Sequence, residues 1–229
     1  MNRFCPKCGT EQGPFVGGFC VKCFLEDNRL LIVPGRLELQ RCKRCGRVLI
    51  NRKWVSDSAD NITSYILSKI KWADMEEKAL DIELKRLQNG IRVFLNVSGR
   101  LKGVSLSARY ETFICYKNQL CNACLKLSSG YHEAVVQIRL PDSSQSTVLS
   151  SVKKILESMQ SKDPLARIVK TFERKNGLDM LIGSNKSAKL LVKELKKRFN
   201  ASVKRTSSLI GVTKDGKRKV KYTYLVRLS

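Results

Sequence analysis

The sequence predicts an α+β protein in three parts, and three observations carry that expectation. Eight of its nine cysteines fall into four C-x-x-C pairs, at Cys5/Cys8, Cys20/Cys23, Cys42/Cys45 and Cys121/Cys124. Between the third and fourth pairs, three segments of alternating apolar residues follow one another with short turn signals between them. After the fourth pair, strand-like and helix-like segments run β-α-β-β-α-β, with one further strand at the end. Together these predict a zinc-knuckle, treble-clef-like region over 1–54 and a helix with an antiparallel β-meander, pinned by a second zinc, over 55–128. A ferredoxin-like split βαβ domain follows over 129–229.

Residues 1–54 hold three cysteine pairs and several glycines but little periodicity, so metal rather than an apolar core is expected to hold them. From Ser56, a candidate helix N-cap, Ile62, Ile66 and Ile70 fall on one face of an amphipathic helix. The segment 78–87 then places Leu80, Ile82, Leu84 and Leu87 nearly in alternation. Segment 91–99 places Ile91, Val93, Leu95 and Val97 on one side, and segment 104–117 continues with Val104, Leu106, Ala108 and Tyr110. Asn89-Gly90 and Gly99–Gly103 mark the turns. Further on come a strand at 132–140, a helix at 147–160 with Val148, Val152, Ile155, Leu156 and Met159 on its apolar face, and a strand at 165–175. Asn176-Gly177 turns this strand into 178–184. A helix entered at Ser184 or Asn185 runs to Phe199, and strands at 201–213 and 217–229 flank Asp215-Gly216, a strong hairpin signal.

The cysteine spacing has a physical reason. Two thiolates three positions apart on a tight turn grip one ion, and two such pairs complete a tetrahedral site. In two pairs a glycine follows the second cysteine (Gly9 and Gly46), supplying the positive φ such a turn needs. The nearest-neighbour assignment gives one zinc to Cys5, Cys8, Cys20 and Cys23 and another to Cys42, Cys45, Cys121 and Cys124. A cross-braced arrangement joining Cys5 and Cys8 to Cys42 and Cys45 is the alternative. Both would be closed, structural four-cysteine sites for Zn2+. Disulfides suit small secreted chains, and the start of this one lacks a signal-peptide pattern. The ninth cysteine, Cys115, reads as a buried strand residue.

The 229 residues include 44 Lys+Arg, 20 Asp+Glu and one His, a net charge of +24. That excess predicts an anionic partner, nucleic acid before a membrane surface. Thermophile-type surfaces add both signs together; here one sign dominates. Residues 144–229 alone carry 21 basic and 6 acidic residues. Three clusters stand out. Arg41, Lys43, Arg44, Arg47, Arg52 and Lys53, with Trp54 beside them, surround the third pair, where arginines suit phosphates and an indole suits an unpaired base. Lys186, Lys189, Lys193, Lys196 and Lys197 line one helix face, which is also an ordinary solvated face. Lys214, Lys217, Arg218, Lys219 and Lys221 crowd the terminal hairpin. No P-loop, G-x-G-x-x-G, H-E-x-x-H or G-x-S-x-G occurs. The one His–Glu neighbour pair, His132-Glu133, falls in an apparent strand and reads as structural, so no catalytic residue is expected.

The pairs CPKCG and CVKC, then CKRCGRVLINRKW, then CNACLKLSSGYHEAVVQIRL, with NGLDMLIGSNKSAKLLVKEL and the closing YTYLVRLS, resemble the export-adaptor family of the large ribosomal subunit, the "nonsense-mediated decay three" proteins. The resemblance covers nearly the whole chain and is to a short, archaeal-type member. It implies a cytoplasmic, non-enzymatic, monomeric factor that docks on rRNA and ribosomal proteins of the large subunit in late maturation or in subunit-joining control. It also implies an anti-association factor bound nearby, and zinc ligands at the eight paired cysteines. Trp54 matches a family tryptophan after the third pair. Two other readings stand beside it: the RNA-binding part of an RNA-modifying enzyme, and a zinc-ribbon transcription component.

Overall fold

The computed structural model describes residues 4–140, 145–212, 215–216 and 218–228. The chain divides into two compact units, Met1–Gln119 and Leu120–Ser229.

The first unit opens with a short hairpin of β1 (Phe15–Val16) and β2 (Phe19–Cys20), which leads into helix α1 (Val21–Asp27). Its main feature is a six-stranded sheet. The strands are β4 (Arg36–Cys42), β5 (Val48–Ile50), β6 (Lys53–Val55), β8 (Glu76–Leu87), β9 (Gly90–Leu101) and β10 (Val104–Gln119), in the order β6-β5-β4-β10-β9-β8. The expected meander is present as β8-β9-β10, antiparallel throughout. Its apolar alternation faces one core, with Ile91, Val93 and Leu95 fully buried. A second, two-stranded sheet pairs β3 (Leu31–Ile32) with β7 (Lys71–Trp72).

Two expectations change here. Residues 30–54 are not held by metal alone. Leu30, Leu31, Val33, Leu37, Leu39, Val48 and Ile50 are buried in the same core as the meander. The sheet therefore takes strands from both sides of residue 54. Backbone and side-chain bonds reinforce this: the Tyr110 hydroxyl accepts from the Leu30 amide at 2.8 Å, and the Thr112 hydroxyl donates to the Pro34 carbonyl at 2.6 Å. The second change concerns helix α2 (Ala59–Leu67). Its N-cap is Ser58, whose side chain accepts from the Asn61 amide, and not Ser56, whose carbonyl and hydroxyl accept from the Asn61 side chain instead. Ile62 and Ile66 are buried as expected; Ile70 lies beyond the helix end.

The pairing that no local pattern announces is β4 against β10, which is parallel and in register from Phe113↔Arg36 to Gln119↔Cys42. Parallel neighbours end side by side. The third cysteine pair therefore begins where β10 stops.

The second unit starts with helix α3 (Asn122–Ser128). Its elements then run β11 (Ala134–Arg139), α4 (Gln145–Met159), β12 (Ile168–Arg174), β13 (Gly177–Ile182), α5 (Asn185–Phe199), β14 (Ser202–Val212) and β15 (Arg218–Arg227). Ser184 caps α5, as one of the two expected entry points. The sheet order is β12-β13-β11-β15-β14. A four-stranded split βαβ sheet would seat the strand after α5 directly beside β11. Here β15 takes that place, parallel to β11, and β14 moves to the edge. The extra strand is inserted into the sheet rather than appended to it.

Both tryptophans, Trp54 and Trp72, lie in the first unit, so their fluorescence reports its unfolding alone. Truncating fully buried Ile62 to Ala should destabilise that unit by about 2–5 kcal/mol. Ser58→Ala should cost about 1 kcal/mol through the lost cap, and Ser56→Ala less. The urea midpoints of the tryptophan signal check this order.

Candidate metal centres and the basic surface around them

The sulfur atoms of Cys5, Cys8, Cys20 and Cys23 lie within 4.8 Å of one another, and so do those of Cys42, Cys45, Cys121 and Cys124. This is the nearest-neighbour assignment, and the cross-braced alternative does not occur. None of the nine cysteines is in a disulfide.

The two quartets are built alike. In the first, the Gly9 amide donates to the Cys5 carbonyl and the Cys5 amide to the Thr10 carbonyl, both at 2.8 Å. In the second, the Gly46 amide donates to the Cys42 carbonyl at 2.8 Å and the Cys42 amide to the Arg47 carbonyl at 2.7 Å. Gly9 and Gly46 share a φ of 73°, the left-handed region that a side chain resists. Each turn faces a cysteine pair at the start of a helix: Cys20 is the N-cap of α1 with Cys23 in its first turn, and Cys121 is the N-cap of α3 with Cys124 in its first turn. A helix start leaves amides without intrahelical partners, and the Cys124 amide indeed points at the Cys121 sulfur, 3.4 Å away.

The chemistry of the donor set fits a soft, tetrahedral cation. Cys8 and Cys20 sulfurs are 3.6 Å apart, against the about 3.8 Å edge of a tetrahedron with 2.3 Å metal–sulfur bonds. Burial pushes the Cys5 thiol up, but the backbone amides of Cys20, Cys8 and Lys7 outweigh it and hold the thiol at about 6. Burial and the neighbouring thiols push Cys23 far above its ordinary value. Protein groups alone thus favour the thiolate of Cys5 and oppose that of Cys23, and a divalent cation would reverse that opposition. Three of the first four cysteines are buried and three of the second four, which suits closed sites. Cys115, by contrast, is only half-buried on β10 and accepts from Arg36 Nη2 at 3.3 Å.

Beside the second quartet, the basic residues separate into two groups. Arg41 turns into the protein: its Nε lies 3.5 Å from Asp57 Oδ2, and its guanidinium sits 4.9 Å over the Tyr116 ring. Arg86 grips the other carboxylate oxygen at 2.9 Å, and the Tyr116 hydroxyl donates to Asp57 at 2.9 Å. Arg41 is thereby a brace between β4 and β10 as well as a surface cation. Lys43, Arg44, Arg52 and Lys53 are exposed, Arg47 and Trp54 half-buried. Arg52 stands with Asn51 at the β5–β6 turn, at φ 63° and 47°, where glycine is the favoured residue.

In the second unit, Arg218 and Lys219 are exposed on β15, whereas Lys214 and Lys217 lie outside the described residues. Lys221 is half-buried and donates to His132 Nε2 at 2.9 Å, while His132 Nδ1 meets the Gly130 carbonyl at 2.9 Å. Glu133 accepts from the Tyr131 hydroxyl at 2.7 Å and from the Asn185 amide at 2.9 Å. The His–Glu pair thus precedes β11 rather than lying within it, and ties that loop to α5 and β15.

Two four-cysteine clusters that could each hold a metal ion, two α+β units and a large positive charge define a candidate metal-binding scaffold with a basic surface. The comparison with known families agrees. The description "NMD3, N-terminal domain" matches residues 5–129, and "NMD3, second domain" matches residues 131–228. The chain belongs to the NMD3 family of ribosomal export adaptors, whose members are non-catalytic and act in subunit export and maturation. No curated protein matches the chain. Among the described residues, no helix is long and apolar enough to cross a membrane.

Each quartet should bind one divalent ion. Metal analysis of the purified chain should give two per molecule, Cys8→Ser or Cys124→Ser should give one, and the double variant none. Asp57→Asn makes a separate prediction. Burial, and then the Asp57 carboxylate, push the Tyr116 phenol to about 12. The folded state therefore keeps a proton that the unfolded chain releases near 10, so this group withdraws stability as pH rises between the two values. In Asp57→Asn the phenol should titrate earlier, which alkaline ultraviolet difference spectra against Tyr116→Phe detect.

Proposed function

We propose that this chain is a ribosome-docking factor that holds two structural Zn2+ ions and binds the large subunit through rRNA and ribosomal proteins, in late maturation or subunit-joining control. Family membership across residues 5–228 carries the reading. The charge of +24 supports it, because an rRNA surface is the polyanion such a field meets. We further propose that each quartet is a treble-clef-like centre, a knuckle joined to a helix start, and that the second unit is a ferredoxin-like domain with an inserted strand. Soft thiolate ligands in a closed set favour zinc.

In this reading the knuckle of the second centre presents Lys43, Arg44, Arg47, Arg52, Lys53 and Trp54 to rRNA, with Arg41 bracing it. Arg52 supports the assignment most directly, since it occupies a backbone position where glycine would be at ease. The hairpin contributes Lys214, Lys217, Arg218, Lys219 and Lys221. The 1–54, 55–128 and 129–229 division remains our proposal for the working parts. So do an anti-association factor as neighbour on the subunit, a monomeric state and a cytoplasmic setting.

Co-sedimentation of the full chain with purified large and small subunits, across a salt series, tests the proposal. The expected result is saturable, near-stoichiometric binding to the large subunit alone. Equal, salt-labile binding to both subunits would overturn it. Arg52→Gly should relax the turn and leave stability unchanged or raised, yet weaken binding and lower the log–log salt slope by roughly 0.7–0.9. Unaltered affinity and slope would remove Arg52 from the interface.

A further inference from the structure

The five-stranded sheet of the second unit carries helices α4 and α5 on one face. Ala134, Val136, Ile138, Met180, Tyr224 and Val226 pack there with α4 and α5 in one core. Alternate residues along each strand point the other way. The register seats Val135 between Leu181 and Thr223, and Gln137 between Asp179 and Leu225. The ion pairs from Asp179 to Arg139, at 2.8 Å, and to Arg174, at 3.0 Å, lie on this second face.

We propose that this open face is a binding platform for single-stranded RNA, the unpaired stretches of the partner that the reading above assigns; the inference rests on that reading. Charge is the first argument. Lys170, Arg139, Arg174, Lys204 and Arg227 point to this face by strand alternation and register. The opposing carboxylate, Asp179, is already spanned by two arginines. That imbalance suits a phosphate backbone and leaves a protein partner with little to pair against. Stacking is the second. Phe172 on the edge strand β12 is 37% exposed, with Lys170 Nζ held 4.8 Å over its ring. An exposed ring beside a cation is what an unstacked base seeks. Half-buried Val135, Leu181 and Leu225 form an apolar floor behind it, and Gln137 and Thr223 offer donors and acceptors to base edges. An RNA duplex hides its base faces and cannot use such a platform.

The test uses the full chain with Phe172→Ala, Lys170→Glu and Lys204→Glu combined, all exposed side chains. The probes are a fluorescein-labelled oligouridylate, alone and annealed into a duplex, and the same strand carrying photoreactive 4-thiouridine. The combined variant should bind the single strand at least about tenfold more weakly, lose much less on the duplex, which feels only the change in charge, and keep its metal content. Phe172→Tyr alone should retain affinity, and crosslinks in the unsubstituted chain should map to the peptide around Phe172. Single-strand affinity within twofold of the unsubstituted chain, or crosslinks solely outside this sheet, would overturn the platform. Sedimentation with large subunits separates the two readings. If the unsubstituted chain fails to bind subunits, the docking function falls and the oligouridylate result alone judges the platform. If subunit binding is lost while single-strand affinity is kept, the face belongs to a ribosomal protein and the RNA inference is wrong.

Discussion

The parallel pairing of β4 with β10 is the constraint on which the rest of the first unit depends. It joins segments far apart in the chain, Phe113 to Arg36 through Gln119 to Cys42, and a Gln119–Gln40 side-chain bond at 2.6 Å reinforces it. It buries Leu37 and Leu39 against the meander. Because parallel strands end together, it also delivers Cys42 and Cys45 to the place where Cys121 and Cys124 begin a helix. A long loop is inexpensive to close once, since the entropy grows only with the logarithm of its length. The sheet register sets where the sulfurs meet, and a metal held by all four would lock that register. The Arg41–Asp57–Arg86–Tyr116 group braces the same pair of strands from the side.

The two quartets repeat one solution with different supports. In each, a glycine-closed turn offers two sulfurs and a helix start offers two more. Around the first quartet little else is buried: the cluster there consists of Cys5, Cys20 and Cys23, with Phe15 against it. The Lys7 ammonium adds a bond to Asp27 at 2.8 Å and a contact to Glu26 at 3.1 Å across knuckle and helix, an exposed arrangement that contributes little by itself. The second quartet sits at the end of a full sheet. Metal loss should therefore disorganise the first centre more completely than the second.

Much of this was legible in the sequence, for physical reasons that differ by element. The meander, α2, α4 and α5 announce themselves because their apolar residues repeat with the period of the element over many residues, as Ile91, Val93 and Leu95 do. The sulfur quartets are legible because few other chemistries use that spacing. Helices α1 and α3 are not, since seven residues give too few turns for a period to show. The parallel β4–β10 pair is a long-range choice that no local pattern encodes. The place of β15 inside the second sheet depends on which side of β14 faces the sheet, and residues 202–212 are exposed throughout, leaving no alternation to read. Arg41 was legible as a cation but not as a brace, because its partners Asp57 and Tyr116 are brought to it only by the folded sheet.

The basic surface follows the same division between scaffold and display. Charges that hold the fold, such as Arg41, Arg86 and Arg139, are paired with half-hidden carboxylates. Charges at turns and strand edges, such as Lys43, Arg52, Lys170 and Lys219, are exposed. A frame that metal at the two quartets would hold rigid can present them without paying again for their order on binding. The most direct test of that frame is X-ray absorption at the zinc edge on the full chain after zinc loading. The account predicts four sulfur neighbours per zinc at about 2.3 Å and no nitrogen or oxygen. A first shell containing nitrogen or oxygen, or an average below four sulfurs, would contradict it.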